Sequence, residues 1–146
     1  MKIFLDADAS PVTEDVIHIA SSKNIPLTIV KNYSQNISSD YPEIISVDID
    51  KESADLYIVN HLNKNDLVIT QDRGLSALCI GKGSYVMDFF GNLVNNDNIN
   101  VYLGIRHVNK VLRKQGIYSK NKKRNKKDNL LFKQNLIDFL EEKNLW

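Results

Sequence analysis

Only one cysteine, Cys79, occurs in the 146 residues. The chain therefore has no internal disulfide and no cysteine-based zinc motif. Cys79 falls on the apolar face of a short helical pattern, Leu75 to Ile80, and is expected to be a core residue. Histidine is scarce as well. His18, His61 and His107 show no metal-ligand spacing. No apolar run reaches the length of a membrane span. The N-terminal stretch is broken by Asp6 and Asp8, so it lacks the basic-then-apolar pattern of a signal peptide. These absences point to a chain with no membrane partner, in a reducing, cytoplasmic setting.

What is present is ordinary for a globular domain: 42% hydrophobic and 25% charged residues. The length suits one domain over residues 1–146 with a full core. The charge is unevenly placed. Residues 1–109 carry 8 Lys/Arg against 14 Asp/Glu, a balance of −6, and residues 110–146 carry 11 against 4, a balance of +7. An acidic body with a basic end fits a metal site beside a polyanion-binding surface.

The pattern along the chain alternates strand and helix. Ile3–Leu5 reads as a buried strand, and Ser10 is placed to cap a helix with Pro11 in its first turn. Val12, Val16, Ile19 and Ala20 make that helix's apolar face, and Asn24 ends it. Strands follow at 26–30 and 44–47, separated by a polar loop. Asp50 is a plausible N-cap for a helix over about 51–62, and Asp66–Thr70 is the clearest strand. A helix at 75–81, a strand at 84–88 and an amphipathic helix at about 99–115 come next. Residues 119–129 contain no apolar side chain and read as a basic loop, before a closing C-terminal helix. This order predicts an α/β fold with a central, mostly parallel sheet flanked by helices.

Four acids fall where such folds place ligands. Asp6 and Asp8 end the first strand at i, i+2 spacing, Asp72 follows the strand ending at Thr70, and Asp55 lies early in a helix. Clustered carboxylates repel unless a cation compensates. An all-oxygen set suits Mg²⁺ or Mn²⁺, which activate water and stabilise the leaving oxygen in phosphodiester cleavage. Each acid also has a structural reading: Asp8 as a turn residue, Asp72 as an N-cap, Asp55 as an exposed helical acid. Ser10, Thr70 and Gln71 lie around the same mouth, with Ser10 and Thr70 in supporting positions, Ser10 as a cap and Thr70 as a group that could orient Asp72. Arg106 is placed to meet a phosphate or one of the acids. Lys120, Lys122, Lys123, Arg124, Lys126 and Lys127 offer screened, sequence-independent charge to a nucleic-acid backbone, or form a solvated loop.

Asp6-Ala7-Asp8-Ala9-Ser10-Pro11-Val12 resembles the N-terminal signature of the bacterial YaiI/YqxD family. Residues 50–58 resemble its second motif, and Asp66–Leu75, with Thr70-Gln71-Asp72-Arg73-Gly74, its third. Asp97-Asn98-Ile99, Arg106 and Arg113–Gly116 continue the likeness along nearly the whole chain. Two departures stand out. Ser10 occupies the place of the signature's cysteine, and Lys/Asn-rich sequence replaces a Gly-Pro-rich segment after Gly116. The resemblance implies a PIN-like three-layer domain and a nuclease-like acidic site at Asp6, Asp8, Asp55 and Asp72. The expected activity is Mg²⁺/Mn²⁺-dependent hydrolysis of RNA or single-stranded nucleic acid. The alternatives are a non-catalytic nucleic-acid-binding module with the same fold and a small-molecule phosphohydrolase.

Overall fold

The computed structural model of the protein describes residues 1–99, 110–111 and 123–143. Most of the helix expected at 99–115 lies outside the described residues, as do Arg106, Lys120 and Lys122.

The first strand, β1 (Ile3–Asp6), is the centre of the molecule. Its Ile3, Phe4 and Leu5 are fully buried. A strand covered on both faces needs apolar side chains on both, which explains the unbroken run. Helix α1 (Thr13–Ser22) leads to β2 (Leu27–Asn32), which pairs parallel with β1 on one side. Strand β3 (Glu43–Val47) pairs parallel with β2 and forms one end of the sheet. Helix α2 (Lys51–His61) then carries the chain to β4 (Leu67–Ile69), parallel to β1 on its other side. Helix α3 (Arg73–Gly81) and β5 (Tyr85–Met87) follow, with β5 parallel to β4. Strand β6 (Leu93–Val94) is antiparallel to β5. The last described helix is α4 (Lys126–Lys143). The six strands stand in the order β3-β2-β1-β4-β5-β6.

Two apolar clusters fill the spaces on either side of this sheet. Ile3 and Leu5 of β1 join Val16 and Ile19 of α1 and Phe132 and Leu136 of α4. Phe4, of opposite parity, joins Ile58 of α2 and Leu75 and Cys79 of α3. Strand alternation thus sends neighbouring residues into opposite layers. The result is a three-layer, PIN-like α/β domain with a mostly parallel central sheet, as expected from the element order.

Local sequence explains most element ends. Asp50 caps α2 by accepting from the Glu52 amide at 3.1 Å. Asn24 ends α1 in a left-handed conformation (φ 55), with the Ile25 amide reaching back to the Ala20 carbonyl at 3.0 Å. Several boundaries shift slightly from expectation, and two helix starts show a local cause. Helix α1 begins at Thr13 rather than directly after Ser10. The Ser10 hydroxyl instead accepts from the Val12 amide (3.2 Å) and the Thr13 hydroxyl (3.0 Å), closing a turn before the helix. Helix α4 begins at Lys126, inside the stretch expected to be loop through 129. Its start is a reciprocal cap. The Asn125 side chain accepts from the Asp128 amide at 3.0 Å, and the Asp128 carboxylate accepts from the Asn125 amide at 2.9 Å. Strand β6 was not foreseen, since two residues carry too little pattern to read.

Helix α4 closes one layer through Phe132, which is fully buried. Phe132→Ala is expected to cost about 3–5 kcal/mol of folding stability. Urea unfolding of the two proteins, compared at equal slope, measures that loss, and a loss near zero would show α4 to be dispensable to the core.

Candidate active site

The chain leaves β1 toward α1, on one face of the sheet, and leaves β4 toward α3, on the other. Between neighbouring parallel strands whose connections diverge, a crevice opens at their C-terminal ends. Leu5 pairs with Ile69 at that edge, so the residues just beyond them, Asp6 and Thr70, come side by side. The crevice is a cavity of about 240 Å³ lined by Asp6, Asp8, Ala9, Gln71, Asp72 and Phe89. Three of the four expected acids therefore face one space.

Asp6 is the buried member, 7% exposed. The Thr70 hydroxyl donates to its Oδ2 at 2.9 Å, and the Asp8 amide approaches its Oδ1 at 3.4 Å. Burial raises the Asp6 carboxyl above its ordinary value of 3.8; those two donors oppose the rise, while the negative charges of Asp8 and Asp72 add to it. Thr70 also accepts from the Asp72 amide at 3.0 Å, so one hydroxyl ties the two strand ends together. Asp72 caps α3, with Oδ1 accepting from the Leu75 amide at 3.0 Å. Its capping and its place in the cleft are thus both present. Asp8 is exposed, in a turn closed by the Ser10 amide on the Ala7 carbonyl at 3.1 Å. In that turn Ala9 takes φ 53, a left-handed backbone that a residue with a side chain adopts at some cost.

Three braces hold the cleft walls. The Gln71 side chain accepts from the Phe89 amide at 2.9 Å. Arg73 pairs with the buried Asp88 at 3.6 Å, and Asp88 itself accepts from the amides of Phe90 and Asn92, both at 2.9 Å. Across the cleft, Gln35 donates to the Ala7 carbonyl at 2.8 Å and accepts from the Asn32 amide at 3.2 Å, fastening the 32–35 turn to the end of β1.

Asp55 does not join Asp6 and Asp72 in this cavity. It lines a second, smaller cleft of about 50 Å³ beyond Asp8, with Lys31, Gln35, Asp48 and Asp50 among its neighbours. Asp8 is common to both. The Asp55 charge is felt instead by Cys79, whose thiol is pushed up to about 12, first by burial and then by Asp55. Such a thiol is un-ionised at neutral pH and is no nucleophile.

The expected nucleic-acid contacts divide. Lys123, Lys126 and Lys127 are exposed, the last two in the first turn of α4. Arg124 is engaged internally: its guanidinium lies 5.0 Å from the Phe90 ring centre and donates to Asn129 at 2.7 Å. Ser10 borders a separate polar cavity between the starts of α1 and α4. Gln71 lies at the mouth of the acid cleft, as its place after Thr70 implies, whereas the brace from Asp88 has no signal in the sequence. The Asn125-Lys126-Lys127-Asp128 spacing was the available signal for the α4 start.

Among the described residues, no three side chains of His, Cys, Asp or Glu stand close enough to form a ready-made metal cage. The donors in the cleft are nevertheless all carboxylate oxygens. Magnesium is commonly held by one or two carboxylates together with waters and substrate phosphates. Asp6, Asp8 and Asp72 fit that open kind of site and not a closed one. Among the described residues no helix is long and apolar enough to cross a membrane.

The folded chain binds the Asp6 proton more tightly than the unfolded chain does. Stability is therefore lost as pH rises from the ordinary value of 3.8 through the raised one. Asp6→Asn is expected to raise the thermal unfolding midpoint at pH 7, with the gain fading below about pH 4. A lower midpoint for the variant at pH 7 would contradict the strained-carboxylate account.

The family described as uncharacterised, the YaiI/YqxD family, matches residues 4–142. A UPF0178 protein of Alkaliphilus oremlandii is 38% identical over 97% of this chain and 92% of its own length. Those of Natranaerobius thermophilus (38% identical, 96% of each chain) and Clostridium tetani (37%, 94% of each) are similar along the same span. No solved structure matches. The chain belongs to the YaiI/YqxD family.

Proposed function

We propose that this member of the YaiI/YqxD family is a Mg²⁺- or Mn²⁺-dependent phosphodiester hydrolase of the cytoplasm, acting on RNA or single-stranded nucleic acid. The observation that carries the reading is the buried Asp6 at the crevice between β1 and β4, with the charges of Asp8 and Asp72 raising its carboxyl further. A buried acid under like-charge pressure is relieved by a cation, and perturbed acids of this kind gather at functional sites. The left-handed Ala9 beside it is a second sign, since strained backbone also concentrates there.

Within this reading Asp6 is the fixed anchor, oriented by Thr70 and the Asp8 amide. Asp72 is held by its backbone amide and one carboxylate oxygen, and Asp8, being exposed, adjusts to the substrate. Asp55 acts from the adjoining cleft, on the far side of Asp8. A bound Mg²⁺ or Mn²⁺ would activate water and stabilise the leaving oxygen. Lys123, Lys126 and Lys127 hold the phosphate backbone through screened charge. Two lysines at a helix N-terminus are unfavourably placed against the helix dipole, a cost that an anionic strand would offset.

The lack of a three-ligand cage among the described residues favours a second reading, a binding module without catalysis. The two separate cleanly. Under the first, purified protein cleaves labelled single-stranded RNA with Mn²⁺, chelation stops it, and Asp6→Asn lowers the rate by a factor on the order of 10² or more. Equal inactivity of both proteins with undiminished RNA binding would leave only the module. In either case Lys126→Gln with Lys127→Gln should lower the slope of log affinity against log salt by about 1–2. An unchanged slope would remove these lysines from the interface.

A further inference from the structure

Five of the six residues that line the acid cleft have no side-chain hydrogen to offer an anion. Asp6, Asp8 and Asp72 are carboxylates, and Ala9 and Phe89 are apolar. Gln71 is the exception. Its primary amide has one oxygen that accepts and one nitrogen that donates twice. The oxygen is already committed to the Phe89 amide at 2.9 Å. A backbone N–H can be met only by the oxygen, so that bond fixes which way the amide lies. The Nε2 end is thereby turned away from Phe89. Among the described residues it donates to no protein group. Gln35 makes the contrast, because both ends of its amide are used to fasten a loop. Gln71 is exposed, braced at one end, and has its donor end left over.

We propose that Gln71 Nε2 donates to a non-bridging oxygen of the phosphodiester being cleaved and is a catalytic residue of this site. The inference rests on the hydrolase reading above. In hydrolysis a water oxygen bonds to phosphorus while the bond to one ester oxygen breaks. One water proton ends on that leaving oxygen and the other passes to solvent, and negative charge is spread over the non-bridging oxygens during the change. Three carboxylates oppose that charge, and a donor held in place before the substrate arrives stabilises it without reorganisation. The brace to Phe89 supplies that holding.

The test uses the full chain with Mn²⁺ and a single-stranded RNA carrying one phosphorothioate linkage, each diastereomer separately. Gln71→Glu keeps the acceptor for the Phe89 amide and loses the donor; Gln71→Met is neutral, of similar length, and loses both. Gln71→Met leaves the Phe89 amide without its acceptor, and Gln71→Glu adds a fourth carboxylate to the cleft, so each is expected to lower the thermal midpoint modestly while the chain stays folded. Both are expected to lower kcat by about 10²-fold with little change in KM, measured well below the midpoint. Sulfur at the oxygen that Gln71 meets is expected to slow the wild type roughly tenfold and to leave the variants nearly indifferent, because a weak acceptor matters only where a donor faces it. Should both variants cleave at the wild-type rate, or keep the wild-type response to sulfur, the role of Gln71 is overturned while the hydrolase reading stands, provided Asp6→Asn is inactive. Should the wild type and Asp6→Asn be equally inactive, the hydrolase reading falls and the role of Gln71 falls with it.

Discussion

One hydroxyl group carries much of the site's geometry. Thr70 has a single proton to give and gives it to Asp6, and it has lone pairs to spare, one of which receives the Asp72 amide. That arrangement exists only because β1 and β4 run parallel and in register, so that the residues after Leu5 and Ile69 emerge side by side. A valine would fill the same space. It would also leave a buried carboxylate oxygen and a backbone amide without a partner, each a substantial cost. The β-branched shape suits the strand and the oxygen suits the cleft, so threonine answers both demands.

The same pairing accounts for why an acid is tolerated so deep in the sheet edge. Asp6 is the last residue of an otherwise wholly apolar strand. It sits one residue beyond the point where both layers of helices can cover it with hydrocarbon. Burial there raises the energy of the ionised form, and nothing in the immediate protein offsets this fully. Such a residue is poor structural material and good chemical material. The braces from Gln71, Arg73 and Gln35 hold the loops around it against the resulting repulsion, so the walls of the cleft are firm although its floor is strained.

Much of this was legible in the sequence, and the reasons are local. Asp50 could be read as a cap because a helical pattern follows it directly, and the parallel sheet could be read from alternating strands and helices. Asp6, Asp8 and Asp72 could be read as neighbours because parallel strands end at one edge. Asp55 is in a different position. Helical phase alone does not say on which side of Asp8 its carboxylate falls, and it lines the adjoining cleft. Ser10 looked like a cap because Pro11 follows, but the chain turns once more before α1 begins. The start of α4 was hidden by composition: a run of lysines and asparagines suggests disorder, and the reciprocal cap between Asn125 and Asp128 outweighs that tendency. The bonds from Gln71 to Phe89 and from Arg73 to Asp88 join segments well apart in the chain, which no periodicity encodes.

Strand β3 stands at the end of the sheet order, paired to β2 on one side. Among the described strands none pairs with its outer edge. Its sequence, Glu43-Ile44-Ile45-Ser46-Val47, is rich in the β-branched residues that favour edge-to-edge joining of sheets. Glu43 begins the strand, and Asp48 and Asp50 follow it, all three exposed. Two such edges brought together would set these acids against one another, in either direction of pairing. Charge placed this way acts as a gatekeeper against self-association. The acids around β3 thus guard the chain against self-association at the margin of the sheet, and two of them, Asp48 and Asp50, also line the cleft that adjoins Asp8.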